Sequence, residues 1–149
     1  AKMATGWTQV DGQWYYMGSS GAMATGWMSS GGTWYYLSGS GAMVTGWGRV
    51  SGSWYFFSAT GAMMTGWFQD GSTSWYYAGS SGSMMTGWLN SGGTWYYLSS
   101  SGALATGWVL DSGAWYYMDD TGAMVTGTRE IEGRSSTFSA SGRWVGYAS

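Results

Sequence analysis

Short aromatic-rich bursts separated by glycine and serine run the length of the chain, beginning with Gly6–Val10 and Gln13–Met17 on either side of Asp11-Gly12. Asp-Gly between two such bursts predicts a two-residue type I′ hairpin, because both central residues of that turn need positive φ. In this register Val10 faces Gln13, Gln9 faces Trp14, Thr8 faces Tyr15 and Trp7 faces Tyr16. Side chains alternate at period 2, so Trp7, Gln9, Trp14 and Tyr16 share one face. Thr8, Val10, Tyr15 and Met17 share the other.

The unit then recurs. Gly-Trp tryptophans stand at Trp7, Trp27, Trp47, Trp67, Trp88 and Trp108, and Trp-Tyr-Tyr-type tryptophans at Trp14, Trp34, Trp54, Trp75, Trp95 and Trp115. Each series steps by 20 residues with one step of 21, because the unit from Trp67 to Trp75 carries an extra residue. A fixed short period predicts a stacked array whose units contact only their neighbours. One hairpin alone is marginal, so stacking must bury its faces. The fold class expected is an all-β repeat solenoid of stacked hairpins, with tandem repeats over residues 1–127 and a degenerate capping repeat over 128–149. Between hairpins, one apolar residue recurs at Met23, Met43, Met63, Met84, Leu104 and Met124, which reads chiefly as a gap filler.

Composition narrows the function. Aromatics make up 19% of the 149 residues and charged residues 8%, with 28 Gly and no Pro or Cys. Rings that each bury about 150–250 Å² supply enough surface to fold, which argues against disorder. No apolar run approaches the length of a membrane span, so no membrane insertion is expected. The five cations, Lys2, Arg49, Arg129, Arg134 and Arg143, form no basic groove, and the net charge is −2, which argues against nucleic acid. Without His or Cys the usual general base, thiolate nucleophile and common metal ligands are missing, so the chain reads as a non-enzyme without cofactor or metal. Asp11, Asp70 and Asp111 read as turn formers, Asp119-Asp120 as a solvated loop rather than a calcium site, and Glu130 and Glu132 as a solvated edge.

Two Trp and a Tyr per unit point to surfaces that must be aromatic. Sugars stack on flat indoles, and quaternary ammonium cations are held by several rings through cation–π attraction. A purely structural aromatic ladder is the third possibility.

The unit Gly-Trp-x₆-Trp-Tyr-Tyr-x₄-Gly-Ala-Met-x-Thr-Gly-Trp, as in Gly26–Trp47, resembles the choline-binding repeat of bacterial and phage cell-wall proteins. The resemblance covers residues 1 to about 127 and implies a left-handed superhelix with choline sites between consecutive hairpins. It implies two Trp from one repeat, the last aromatic of the next repeat's Trp-Tyr-Tyr, and a Met or Leu to close the cage. By position, the first site is Trp7, Trp14 and Tyr36 with Met43, and the second Trp27, Trp34 and Phe56 with Met63. The third is Trp47, Trp54 and Tyr77 with Met84. The fourth is Trp67, Trp75 and Tyr97 with Leu104, its indoles spread by the extra residue, and the fifth is Trp88, Trp95 and Tyr117 with Met124.

The seventh unit departs from the pattern. Thr128 stands where Trp is expected, and Ser135-Ser136-Thr137 replaces Trp-Tyr-Tyr, so Trp108 and Trp115 lack a third wall and no sixth site is expected. Trp144 and Tyr147 are expected to fold back as a cap, the alternative being a homodimer patch. Related glucan-binding repeats keep the glycan reading open. The family resemblance implies phosphocholine of teichoic and lipoteichoic acids as partner and a secreted, cell-surface location. Ala1-Lys2-Met3-Ala4-Thr5 aligns with Gly21–Thr25, so the chain opens in mid-repeat, and the expectation is a longer secreted protein with a catalytic module upstream.

Overall fold

The computed structural model describes residues 5–148; the match of Ala1–Ala4 to the end of a repeat lies outside them. The described chain is all-β, and no helix among its residues is long and apolar enough to cross a membrane. Each expected hairpin forms. β1 (Gly6–Val10) pairs with β2 (Gln13–Met17), β3 (Gly26–Ser30) with β4 (Thr33–Leu37), and β5 (Gly46–Val50) with β6 (Ser53–Phe57). β7 (Gly66–Gln69) pairs with β8 (Trp75–Ala78), β9 (Gly87–Ser91) with β10 (Thr94–Leu98), and β11 (Gly107–Asp111) with β12 (Ala114–Met118). The last sheet has three strands, β13 (Gly127–Ile131), β14 (Arg134–Phe138) and β15 (Trp144–Tyr147).

The register in β1–β2 is the expected one, with Trp7 opposite Tyr16 and Val10 opposite Gln13. Its cause is local. Asp11 and Gly12 take φ values of 51° and 80°, the left-handed pair a type I′ turn requires. Glu132 occupies the same turn position in β13–β14 at φ 54°, so it belongs to a tip rather than to the strand edge expected for it.

The chain forms two compact units. One comprises the residues up to Thr73 together with Tyr77–Met84; the other comprises Ser74–Tyr76 and the residues from Met85 onward. In each unit the face carrying the first Tyr of the Trp-Tyr-Tyr motif and the strand's last residue is the buried one. In the first unit its centre is Leu37, Phe57 and Ala78, each at most 1% exposed, with Phe68 beside them. In the second unit the same slots hold Leu98, Met118 and Phe138, joined by Leu89 and Val109. This apolar seam carries little signal in the sequence, because most of its residues directly follow a Gly-Trp or Trp-Tyr-Tyr-type motif and vary from repeat to repeat.

The link between hairpins is also regular. The residue after each hairpin's second strand folds into a tight turn, as where Gly41 N–H donates to Ser38 carbonyl at 2.7 Å and Ser38 N–H to Ala42 carbonyl at 2.8 Å. The chain then adds a one-residue bridge to its own hairpin, Leu37 to Met43 and Phe57 to Met63 among them. In the turn that follows β12, burial pulls the Asp119 carboxyl upward, but hydrogen bonds from Thr121 and Ala123 and the Arg129 charge outweigh it and hold it below the usual range.

Candidate functional site

Consecutive hairpins stack front to back. Trp27, Trp34 and Tyr36 lie on the front face of β3–β4, where Trp27 meets Trp34 edge-on at 6.4 Å between centroids and Tyr36 at 5.1 Å. What covers them is the rear face of β5–β6. Tyr55 meets Trp27 at 4.8 Å and Phe57 approaches it at 5.8 Å. The first hairpin repeats the arrangement, with Trp7 against Tyr35 at 4.9 Å.

Two cavities of about 420 Å³ result. One is lined by Trp7, Trp14, Tyr35, Met43, Ala59 and Thr60, the other by Trp27, Trp34, Tyr55, Met63, Ser80 and Ser81. Each therefore draws on three consecutive repeats: two indoles from one hairpin, a Tyr and a Met from the next, and a rim from the turn after the third. The rim residues carry no sequence signal, since the turn that supplies them is a generic Gly/Ser/Thr/Ala stretch. The Met is placed by its backbone. Met43 N–H donates to Trp14 carbonyl at 2.8 Å and Met63 N–H to Trp34 carbonyl at 2.9 Å. Trp14 and Trp34 remain 39% and 46% exposed, large apolar surface left open by the fold itself.

The third wall differs from the expected one. The structure does not bring Tyr36 to Trp7 and Trp14, nor Phe56 to Trp27 and Trp34. Tyr36, Phe56, Tyr77, Tyr97 and Tyr117 instead pack edge-on against the Gly-Trp indole of their own hairpin, Trp27, Trp47, Trp67, Trp88 and Trp108, at 4.9–5.1 Å. The reason is parity. These residues share a face with their own tryptophans, whereas front-to-back stacking requires the covering ring to come from the opposite face, one residue earlier. Tyr35, Tyr55 and Tyr116 meet that condition.

The choline-binding repeat family model matches residues 4–45, 44–86 and 85–128. The chain belongs to the choline-binding repeat family. Among solved structures, CbpJ from Streptococcus pneumoniae TIGR4 is 41% identical with a TM-score of 0.90, over 95% of this chain and 52% of that one. CbpF from Streptococcus pneumoniae in complex with ipratropium is 38% identical with a TM-score of 0.86, over 95% and 54%. The choline-binding domain of CbpL from Streptococcus pneumoniae is 29% identical with a TM-score of 0.63, over 95% and 87%. The chain thus spans about half the length of CbpJ and CbpF. No curated protein sequence gives a significant match.

The remaining repeats of this choline-binding array vary the plan. Trp47 and Trp54 stand edge-on at 6.4 Å, and Met84 N–H donates to Trp54 carbonyl at 2.7 Å. Here Trp47 Nε1–H donates to the Asp70 carboxylate at 2.8 Å. Trp88 Nε1–H donates likewise to Asp111 at 2.9 Å, while Trp88 stands at 6.5 Å from Trp95 and 4.7 Å from Tyr116, and Met124 N–H donates to Trp95 carbonyl at 2.9 Å. Asp70 and Asp111 therefore orient an indole as well as shaping a hairpin end. Hydrogen bonds from the Ser72 hydroxyl and then the Trp47 indole hold the Asp70 carboxyl below the usual carboxylate range. Of the fourth expected group, Leu104 N–H donates to Trp75 carbonyl at 2.7 Å in the second unit, Tyr97 lies on Trp88, and Trp67 belongs to the first unit. Among the described residues no group of three or more His, Cys, Asp or Glu is placed to hold a metal.

Proposed function

We propose that the chain is a non-catalytic cell-wall-binding module whose inter-hairpin cages each take one trimethylammonium group of choline, including the phosphocholine of teichoic and lipoteichoic acids. In this reading it anchors a larger secreted protein to the bacterial surface. The observation that carries the reading is the lining of the two 420 Å³ cavities: three aromatic rings and a thioether, with no charged side chain among the lining residues. A trimethylammonium donates no hydrogen bond, so rings alone hold it, and the Thr60, Ser80 and Ser81 hydroxyls at the rims are not needed for it. The binding of ipratropium by CbpF supports the same chemistry, since that compound is built around a quaternary ammonium.

Three rings at roughly 1 kcal/mol each, with burial of the methyl groups, give on the order of millimolar affinity for a single cage. A polymer carrying many phosphocholines gains about 10²–10⁴ through effective concentration. Residues 128–149 act as the cap of the array, and a homodimer patch at Trp144 is the lesser alternative because that ring is folded against Trp108. The test is a titration of Trp fluorescence and melting temperature with choline chloride, with glucose oligomers as control. Saturable quenching and a raised melting temperature at millimolar choline alone support the cation cage. A response to the glucan alone replaces it with a glycan module.

A further inference from the structure

The degenerate last repeat rebuilds what it lost. Its hairpin β13–β14 keeps the register of the others, with Gly127 opposite Phe138 as Gly107 is opposite Met118. The slot of the covering tyrosine, Tyr116 in the preceding hairpin, falls on Ser136, which is 1% exposed and offers no ring. The slot of the lid is filled differently. In six earlier repeats the strand-end residue bridges to the lid, as Met118 does to Met124 and Leu98 to Leu104. In the last repeat the equivalent strand-end residue, Phe138, pairs with Trp144. A tryptophan thus stands where every other repeat has Met or Leu.

That ring reaches the open indoles of the preceding hairpin. Trp108 and Trp115 stand edge-on at 6.3 Å, and Trp144 closes on Trp108 at 6.4 Å and 89°. Tyr147, also on β15, meets Trp144 at 5.2 Å, with the Arg134 guanidinium stacked on its ring at 3.5 Å. Trp108, Trp115, Trp144 and Tyr147 line a cavity of about 290 Å³, smaller than the 420 Å³ cages of the first unit. The sequence pattern had left Trp108 and Trp115 without a third wall, because the replacement rings sit outside the Trp-Tyr-Tyr motif.

We propose that these four residues form a sixth quaternary-ammonium cage, distinct from the others in having four rings and no thioether. The inference rests on the choline reading of the other cages and extends it to a site that the family pattern does not contain. The exchange of Tyr for Ser136 removes one ring, and the exchange of Met for Trp144, together with Tyr147, adds two. The added ring favours trimethylammonium, while the Arg134 guanidinium stacked on Tyr147 sets a like charge beside it, so this cage is expected to bind within about fivefold of the cages closed by Met.

The test follows the indole N–H signals of the ¹⁵N-labelled full chain by NMR during titration with choline chloride, with signals assigned by single Trp→Phe variants. The expected result is that the Trp108, Trp115 and Trp144 signals saturate together, at a choline concentration within about fivefold of that for Trp7 and Trp14. Tyr147→Ala, at a half-exposed position, is expected to weaken that response about two- to fivefold and leave Trp7 and Trp14 unchanged. Trp144→Met, which leaves three rings and a thioether as in the other cages, is expected to weaken it about two- to fivefold with the other cages unchanged. Choline shifts at Trp7, Trp14, Trp88 and Trp95 with none at Trp108, Trp115 and Trp144 would overturn the sixth cage and leave the proposed function standing. A sixth-cage response that Tyr147→Ala leaves untouched would overturn the four-ring assignment. Silence of every indole overturns the choline reading and this inference with it.

Discussion

The Met43 amide donates a 2.8 Å hydrogen bond to the carbonyl of Trp14 in the preceding hairpin. The residue that closes the first cavity is thereby fixed by its backbone to the ring it covers. The same bond joins Met63 to Trp34 and Met84 to Trp54 at 2.9 and 2.7 Å. Because the main chain sets the lid, its side chain is free to vary, which is why Leu104 fits the same place with Trp75 at 2.7 Å.

Tyr35 and Tyr36 are neighbours in sequence with different duties. Tyr35 covers Trp7 from the rear face, while Tyr36 packs on Trp27 from the front. Tyr35→Ala is expected to weaken choline binding at the first cage by about fivefold, the value of roughly 1 kcal/mol for one ring. Tyr36→Ala is expected to leave the first cage within about twofold and to loosen Trp27 instead. Residue-resolved titration of the Trp7 and Trp27 indole signals separates the two. Equal effects of both variants on the first cage would refute the front-to-back assignment.

This pair also shows what the sequence made legible. Hairpin register followed from Asp11-Gly12 and period 2, both local rules, and Trp7 stands opposite Tyr16 as those rules require. The pairing of each hairpin with its neighbour obeys no local rule. Which face of one unit covers the next depends on the path of the link, so the choice of Tyr36 over Tyr35 could not be decided from parity within one hairpin. The seam at Leu37 and Leu98 was hidden for a related reason: an apolar residue ending an aromatic strand reads the same whether it faces solvent or a neighbour. Trp144 was hard to place because its repeat had lost the motif that numbers the slots.

Gly61 has two reasons to lack a side chain. Its φ is +87°, and an added Cβ would overlap the Met43 sulfur. Gly61→Ala is expected to cost roughly 1–2 kcal/mol for the left-handed backbone and about 1–3 kcal/mol for overpacking. It also displaces the lid of the first cage. In a Met43→Ala background, which has its own truncation cost, Gly61→Ala is expected to lose the overpacking and keep only the backbone cost. Urea denaturation of both single variants and the double variant checks this, and a Gly61→Ala cost equal in the two backgrounds would contradict it.

The Asp70 carboxyl titrates below its unfolded value, chiefly through the Ser72 hydroxyl and the Trp47 indole. A depressed folded-state pKa contributes stability above the unfolded pKa of about 4, and that contribution is lost as pH falls through the folded value. Asp70→Asn keeps an oxygen acceptor but not the charge. Its melting temperature is therefore expected to lie below the parent's at pH 7 and to converge on it as pH falls below about 4 through the folded value. A gap of constant size across that range would rule out the charge as its source.

Stability and binding are expected to separate between two residues of one strand, β10. Leu98 is 1% exposed in the apolar seam, whereas Trp95 is 43% exposed on the opposite face, beside Trp88. Leu98→Ala is expected to destabilise the second unit by about 2–5 kcal/mol, the cost of a cavity at a site that packing cannot collapse. Below its lowered melting point, the same variant is expected to bind choline at the fifth cage with near-parent affinity. Trp95→Ala is expected to do the reverse: it leaves the apolar seam intact but removes one wall of the cage. Thermal melts paired with titration of the Trp88 indole signal measure both quantities on each variant. If Trp95→Ala lowered the melting temperature as far as Leu98→Ala, its ring would belong to the core. The half-exposed tryptophans would then be structural, and an aromatic scaffold would replace the ligand cage.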